Sequence, residues 1–441
     1  MTVMHSSTLW FYFAQFFTHD ILVGLMTAGL ATPLLGTRVD ETLQEQYREV
    51  DLRFLHLENG MAERLRKRAV ADRVRVLRIG PYFVCDALDS SPTAFGEAID
   101  GARRLVRRFR HVEEYYLMWH ERPTTSLRRP APDCDVSDIL RASAFLAAPF
   151  TSTPYLRVLT VELALDKAEH LFQPRCTLPS LEELRLCIRA DHGGGDIDAA
   201  GYIMVHHLAR FINNAHRTLQ SLSFASALSI DFSPLFASLC SFANLRSLAL
   251  EIPTARPYLA EPAALRSFLC AHRATLGHLA LRGFANNNGA ARGAVDASWL
   301  AQCLSGVSLP ALRTLDVGTS FVPLEVAMLC IGQFADTLAA LDIMGQYLDD
   351  VEVVDVLRAL KDRPRLRALS VGVVCLIRGV APRRGEQPVF VGGKRNSRKL
   401  KWWQDDFCAE MSSHTYAGWG LRDLQCQHRY VDAVCESLVR K

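Results

Sequence analysis

Four short segments decide how this chain folds: LEELRL at residues 181–186, LQSLSF at 219–224, LRSLAL at 245–250 and LGHLAL at 276–281. Each fits the hexad L-x-x-L-x-L, whose second and third apolar positions lie two residues apart. Because side chains alternate along a strand, these two positions point to one face of a short β-strand. The hexad therefore predicts a strand with one buried side.

The same hexad, with aliphatic or aromatic replacements, recurs on both sides of this central run. It appears as VRVLRI, VEEYYL and LRVLTV before residue 181, and as LRTLDV, LAALDI, LRALSV and a looser LRDLQC after residue 281. From residue 156 to residue 366 the copies start at intervals of 25, 38, 26, 31, 36, 26 and 28 residues. Several intervals exceed the usual leucine-rich repeat of roughly 20 to 29 residues. A stack of such units buries the apolar side that one unit cannot bury alone.

Helical spacing of apolar residues fills the stretches between hexads, at 198–213, 261–276, 298–307 and 348–361. We therefore predict an α/β fold for residues 46–441, an irregular leucine-rich-repeat solenoid of strand-helix repeats with a curved parallel sheet. Loops are predicted at 191–198 and 283–293, and an exposed insertion near 378–401. Residues 1–45 are predicted to form a short, apolar, helical N-terminal segment.

Composition excludes several classes of protein. A chain of 441 residues exceeds a single compact core, and 49% hydrophobic with 22% charged residues is ordinary for a folded protein. The net charge of +3, from 50 basic and 47 acidic residues, creates no overall field that would attract nucleic acid. The 12 cysteines are scattered without a C-x-x-C pair. We interpret them as reduced, mostly buried thiols and expect a cytoplasmic or nuclear protein.

The N-terminal segment leaves two alternatives open. Two apolar runs, 9–18 and 21–35, are separated by His19 and Asp20. Neither run reaches the ~20 apolar residues that span a bilayer, and a polar pair in the middle of a combined span would be costly. A buried or misassigned helical segment is favoured over a membrane tether.

The positions between the leucines are the candidate binding residues. If the hexads form a parallel sheet on a concave wall, these positions face outward, and they carry charges of both signs together with a serine. A protein partner suits such a mixed surface, whereas nucleic acid would need clustered basic residues with interleaved aromatics. The alternative is that each is merely a solvated residue. The predicted partner-binding residues are Arg78, Arg185, Glu251, Arg282, Asp316, Asp342 and Ser370.

Motifs for catalysis, cofactors and metals are absent from the sequence. It contains no G-x-S-x-G, H-E-x-x-H, Walker A or G-x-G-x-x-G signature, so we predict a protein that is not an enzyme and holds no cofactor. Gly193 to Gly195 indicate a flexible loop, and His206 and His207 are predicted to point apart on a helix. Four possible ligands fit no common zinc module, so no metal is predicted. These four are Cys408, His414, Cys426 and His428.

Two basic clusters stand out from the balanced background. Five arginines within residues 103–110 predict an amphipathic helix with a solvated basic face, with an acidic partner or a membrane surface as alternatives. Residues 394–401 carry five Lys or Arg before Trp402 and Trp403, and are either a nuclear import signal or a solvated loop.

The segment QYREVDLRF at residues 46–54, the basic stretch at 64–68 and VRVLRIGP resemble the start of fungal F-box proteins of the leucine-rich-repeat type. The resemblance covers roughly residues 46–440. It implies a substrate-recognition subunit of a cullin-type ubiquitin ligase, with an F-box that binds a Skp-type adaptor and repeats that hold a protein substrate. The chain departs from the family before Tyr47, where no Leu-Pro opening of an F-box is legible. Residues 1–45 are therefore a degenerate F-box or a misassigned gene start.

Overall fold

The computed structural model describes residues 47–52, 61–80, 92–119, 136–173, 178–189, 197–226, 228, 230–253, 259–284, 298–317, 324–343, 359, 365–366, 368–371, 374–378 and 419–421. The chain divides into two compact units, Met1–Leu181 and Glu182–Lys441, here called unit one and unit two. Predictions about residues 1–45, Gly193 to Gly195, 394–401 and the four possible metal ligands lie outside the described residues.

Unit one alternates strands with helices. Its strands are β1 (Glu49–Leu52), β2 (Val76–Ile79), β3 (Glu114–Trp119) and β4 (Val158–Ala164). Its helices are α1 (Met61–Arg66), α2 (Arg68–Ala71), α3 (Pro92–Val106), α4 (Val136–Leu146), α5 (Ala148–Ser152) and α6 (Leu165–Leu171). The strands pair in parallel and in chain order. This arrangement follows from each helix returning the chain across one side of the sheet to start the next strand.

Unit two continues the same pattern. Its strands are β5 (Glu183–Arg189), β6 (Ser221–Ser226), β7 (Ser247–Pro253), β8 (His278–Phe284), β9 (Thr314–Asp316), β10 (Ala340–Ile343), β11 (Ala368–Val371), β12 (Val374–Arg378) and β13 (Trp419–Leu421). Between them lie α7 (Ile197–Ile203), a π-helical turn (Met204–Ala209), α8 (Arg210–Asn213), α9 (Ser233–Ser238), α10 (Pro262–Ala271), α11 (Ser298–Leu304) and α12 (Leu324–Phe334). Strands β5 to β11 pair in parallel and in chain order.

The predicted strand-helix repeat fold is confirmed, and one backbone feature recurs in it. In each unit, one carbonyl accepts hydrogen bonds from two successive N–H groups of the next repeat. Glu182 O accepts from the N–H groups of Gln220 and Ser221, and Gln220 O accepts from the next repeat in the same way. The first apolar residue of each hexad is buried just before this junction. Those with 0 or 1% exposure include Leu156, Leu181, Leu219, Leu245, Leu276, Leu312, Leu338 and Leu366.

The end of the sheet differs from the predicted parallel array. Strand β12 pairs antiparallel with β11, and β13 pairs antiparallel with β12. The looser hexad LRDLQC shares only Leu421 with β13, because that strand ends at the residue where the hexad begins. A two-residue connection between β11 and β12 is too short for a crossover helix, and a parallel return is therefore impossible there.

The predicted helices between hexads are present where the structure describes them. The 198–213 helix is α7, the π-helical turn and α8 together. The 261–276 helix is shorter than predicted, because α10 ends at Ala271 and the following residues form the junction to β8. Helix α11 ends at Leu304, near Gly306, whose φ of 73° suits a residue without a Cβ atom. Of 348–361, the structure describes only Ala359.

Candidate functional site

Side chains that alternate with the buried leucines form an outward face on the sheet of unit one, here called open face one. Its members share the register rows of β1 to β4, and all but Val76 are at least partly exposed. Long polar side chains predominate because these positions meet solvent, whereas their neighbours in each strand pack into the core. Open face one comprises Glu49, Asp51, Val76, Arg78, Glu114, Tyr116, Met118, Val158, Thr160 and Glu162.

Arg78 lies at the centre of open face one and is held by both neighbouring strands. Its Nε donates to Glu49 Oε1 on β1 over 2.6 Å, and its guanidinium carbon lies 4.1 Å from the centre of the Tyr116 ring on β3. The Tyr116 hydroxyl in turn donates to Glu114 Oε2 over 2.9 Å. A guanidinium that stacks on an aromatic ring while it pairs with a carboxylate has few remaining rotamers. Arg78 is thus pre-positioned.

Open face one is acidic despite this arginine. It carries the carboxylates of Glu49, Asp51, Glu114 and Glu162 against the single guanidinium of Arg78. Met118, with 39% of its surface exposed, adds an accessible thioether at the end of β3. A partner that meets this face would therefore need basic groups and some apolar surface.

The sheet of unit two has a corresponding outward face, here called open face two. One register row crosses it from β5 to β10, with a charged residue at each side and small side chains between them. Since neighbouring strands lie ~4.8 Å apart, Arg185 and Asp316 are separated by roughly 19 Å across four strand spacings. This row consists of Arg185, Ser223, Ala249, Ala280, Asp316 and Asp342.

Ion pairs fix the charged groups at both sides of open face two. Arg185 donates from Nε to Glu183 on the same strand. Arg282 on β8 donates from Nε to Asp316 Oδ2 over 2.8 Å and also from Nη2 to the same oxygen. One pair of opposite charges therefore lies on β5, and a second pair joins β8 to β9. Between them, Ser223 and Ala249 are partly exposed, and Ala280 is buried.

The structure brings most of the predicted binding residues together in unit two. Glu251 lies opposite Arg282, and Asp316 lies opposite Asp342 in the register. Arg185 lies at the other side of the row, and Arg78 belongs to unit one. The backbone of Ser370 pairs with Asp342, while its side chain lies outside the description.

Two of the predicted outward residues are buried. Asp316 and Asp342 occupy open-face positions in the register, yet each is only 7% exposed. For Asp316 the reason is the Arg282 side chain, which reaches diagonally across from β8 and covers the carboxylate. The expectation that these two residues face solvent is therefore wrong.

Sequence reasoning missed the residues of β1 on open face one. Glu49 and Asp51 lie there because YREVDL, at residues 47–52, is itself a hexad with tyrosine in its first position. Tyr47 is 5% exposed, as the first residue of a repeat should be. The signal was present in the pattern but was hidden by the aromatic replacement.

His206 and His207 do not point apart as predicted, because the helix is π-helical at this point. Their ring centres lie 4.4 and 5.9 Å from the ring centre of Tyr202, which is 57% exposed. The wider π-helical turn places residues four and five positions after Tyr202 on the same side of the helix.

The described cysteines are all free, and only some are buried. Burial raises the pKa of the Cys303 and Cys330 thiols to about 12. Cys240 and Cys270 are exposed, so the prediction of mostly buried thiols is wrong for them. In the part of the chain that the structure describes, no group of three or more His, Cys, Asp or Glu residues could hold a metal ion.

The described helices include none with both the length and the apolar character needed to cross a membrane. The apolar runs at residues 9–35 lie outside the described ranges.

Comparison with known proteins gives little further information. No family model matches the chain. No curated protein matches it either. Among solved structures, the chain is similar to a chain in the yeast complex of Rad7 and Elc1, at 14% identity and a TM-score of 0.34, over 84% of this chain and 94% of that one. A likeness at this level carries no weight, and the repeat architecture rests on the strand pairing and burial described above.

Proposed function

We propose that this protein is a non-catalytic protein-binding repeat protein of the cytoplasm or nucleus, and that open face two holds the partner. The observation that carries the proposal is the row from Arg185 to Asp316, in which the partly exposed Ser223 and Ala249 and the buried Ala280 lie between two charged sides. A face of small side chains lets a partner's backbone or a helix approach the sheet closely. The charged pairs at the sides then fix its orientation.

The chemistry of open face two favours a polypeptide over a small molecule. The row is accessible from Arg185 through Ser223 to Ala249, whereas Ala280, Asp316 and Asp342 are buried. With charges of opposite sign at its two sides, it suits a segment that presents both basic and acidic groups. Glu251 and Arg282 lie next to each other in the register, which extends the mixed character beyond the row itself. No cofactor or enzymatic activity forms part of the proposal.

The experiment tests whether bulk on this row prevents partner binding. Tagged protein carrying Ser223→Trp and Ala249→Trp is compared with wild type by quantitative mass spectrometry of the proteins that each retains from cell extract. We expect the variant to lose specific partners, because two indole side chains fill the space above the sheet. The control is Ser267→Trp, an exposed position on α10 at the helical side of the same unit.

Loss of the same proteins by the row variant and their retention by the Ser267 variant support open face two as the binding surface. Equal retention by all three proteins would overturn the proposal. A melting temperature measured for each variant shows whether the fold is intact.

A second proposal concerns ubiquitin ligation. We propose that the protein acts as an F-box-like substrate-recognition subunit of a cullin-type ligase, with the N-terminal region binding a Skp-type adaptor. Its support is the resemblance of residues 46–54, 64–68 and 74–81 to F-box proteins with leucine-rich repeats. The alternative is a scaffold without a ubiquitin role, tethered to a membrane through residues 9–35 or not.

A pulldown distinguishes these two alternatives. Full-length protein and a version that begins at Arg38 are each probed for a Skp-type adaptor and a cullin. Recovery by the full-length chain alone supports an F-box in residues 1–37. Recovery by neither leaves the scaffold, and fractionation of the same two proteins with membranes then tests the tether.

A further inference from the structure

The helical side of unit one carries a concentration of basic side chains that the proposed function does not use. They come from two segments that are far apart in sequence, α1 with α2, and the end of α3 with the turn that follows it. We call this surface the basic helical patch. It comprises Arg64, Arg66, Lys67, Arg68, Arg104, Arg107, Arg108 and Arg110.

One hydrogen bond joins the two segments into a single patch. The guanidinium of Arg108 donates from Nη1 to the backbone carbonyl of Arg66 over 2.5 Å. Helix α1 also contacts α3 directly. The two basic segments therefore meet at Arg66 and Arg108, although 42 residues separate these two in the chain.

Half of these eight side chains have no counter-ion within the described part of the chain. Arg66, Arg104, Arg107 and Arg110 are exposed and form no ion pair with any residue that the structure describes. Arg68 does pair with Asp72 over 3.5 Å, but its side chain remains 92% exposed. Like charges held close together raise the local potential and attract an anionic partner.

The arrangement favours carboxylates on a flexible chain over a nucleic acid duplex. Residues 104–110 are a stretch of only seven residues, at the end of α3 and in the turn that follows it. Exposed Glu97 and Asp100 precede this stretch on α3, and exposed Glu63 lies on α1. A duplex carries one charge per ~1.7 Å of a stiff axis, so it would extend over these carboxylates. A flexible peptide can place a few carboxylates on the arginines alone.

The described side chains of the patch favour an acidic peptide over a membrane surface. Interfacial binding by a helix needs exposed large apolar side chains beside its basic residues. Within the described parts of 61–71 and 92–110, no large hydrophobic side chain is exposed. Leu105 and Phe109 are buried in the core instead.

We propose that the basic helical patch binds an acidic, unstructured segment of a partner protein. Arginine suits this role because its planar fork of donors matches a carboxylate with two hydrogen bonds. The patch lies on α1, α2, the end of α3 and the following turn in unit one, whereas the proposed function places the partner on open face two. Either proposal can therefore fail without the other.

The test measures binding of a fluorescein-labelled deca-glutamate peptide to the full chain by fluorescence anisotropy at 50 and 200 mM NaCl. We expect wild type to bind at low salt and to weaken as salt rises. The variant Arg104→Glu, Arg107→Glu, Arg110→Glu should bind at least about tenfold more weakly, since three attractive charges become repulsive. The corresponding triple change to lysine should retain part of the affinity, because it keeps charge and loses the fork.

A matched control separates a local effect from net charge. Arg217→Glu, Arg246→Glu, Arg273→Glu changes three exposed arginines of unit two and alters the net charge equally. Equal loss of binding by both triple variants, or no binding of the peptide by wild type, would overturn the proposal. Tighter, patch-dependent binding of a 20-base-pair duplex, of a 20-nucleotide oligothymidylate or of phosphatidylserine vesicles would overturn it as well.

Discussion

Arg282 on β8 and Asp316 on β9 are joined diagonally across open face two, with Nε and Nη2 of the guanidinium both donating to Oδ2 of the carboxylate. Directly opposite Asp316 in the register is Ala280, two residues before Arg282. The small side chain of Ala280 leaves the space through which the arginine reaches. The guanidinium of Arg282 thereby covers the carboxylate of Asp316 and neutralises part of the negative charge on this side of the open face.

A double-mutant cycle should show that this pair is coupled. Arg282→Leu leaves the carboxylate of Asp316 buried without this partner, and we expect the free energy of unfolding to fall by about 2 kcal/mol. Asp316→Leu should also destabilise, while the double variant should lose less than the sum of the two. Urea unfolding of the four proteins measures the coupling. Strictly additive effects would show that the two side chains act independently.

Tyr115 provides a second stability prediction, in unit one. Its hydroxyl donates over 2.9 Å to the carbonyl oxygen of Leu146, at the end of α4, and its side chain is fully buried. Tyr115→Phe leaves that carbonyl without the donor, so we expect a loss of about 1 to 2 kcal/mol in urea unfolding. Tyr116→Phe is the matched control, because its hydroxyl bonds to Glu114 at the partly exposed face. It should cost clearly less, and an equal cost would contradict the prediction.

Much of this architecture could be predicted from the hexads, since each strand from β2 to β11 begins two residues after the first position of its hexad. What could not be predicted depends on tertiary contacts. The boundary between the units falls inside the hexad LEELRL, between Leu181 and Glu182, where the apolar pattern is unbroken. No local signal could mark it.

The sequence predicted on which face of the strands the candidate binding residues lie, but not which other side chains surround them. Alternation along the strands placed Arg185 and Glu251 on the open face, where the structure shows both exposed. It could not reveal that Arg282 covers Asp316, because that contact depends on which side chains meet across two strands. The basic helical patch likewise depends on the distant Arg66 and Arg108 coming together.

Thiol accessibility offers a test of the core of unit two. Cys303 and Cys330 are buried, with pKa values raised to about 12, so at pH 8 only about one thiol in ten thousand is ionised. Iodoacetamide should therefore modify these two far more slowly than exposed Cys270 in the native chain. Peptide mass spectrometry follows each site separately, and urea should remove the difference. Equal native rates at the three sites would contradict the burial of α11 and α12.

We expect His272 to make the stability of unit two depend on pH, because both nitrogens of its buried ring form hydrogen bonds. Its Nδ1 lies 2.7 Å from Phe268 O, and its Nε2 accepts from the N–H of Phe242 over 2.8 Å. The ring packs against Phe242 and Phe268. Burial lowers the pKa of His272, and only the neutral ring can accept the Phe242 hydrogen bond.

Replacing this histidine should remove a stabilising effect that exists only at higher pH. The folded-state pKa lies below the unfolded value of 6.5, so the contribution is complete above pH 6.5 and declines as the pH falls toward the folded-state value. His272→Asn should lower the free energy of unfolding by about 1 to 3 kcal/mol at pH 8, since the Phe242 N–H loses its acceptor. The difference from wild type should narrow as the pH falls below 6.5, because wild type loses stability there and the variant lacks this titrating group. Urea unfolding at a series of pH values measures both curves, and subtracting them cancels the other histidines. A difference that stays constant with pH would show that His272 is not held neutral by the fold.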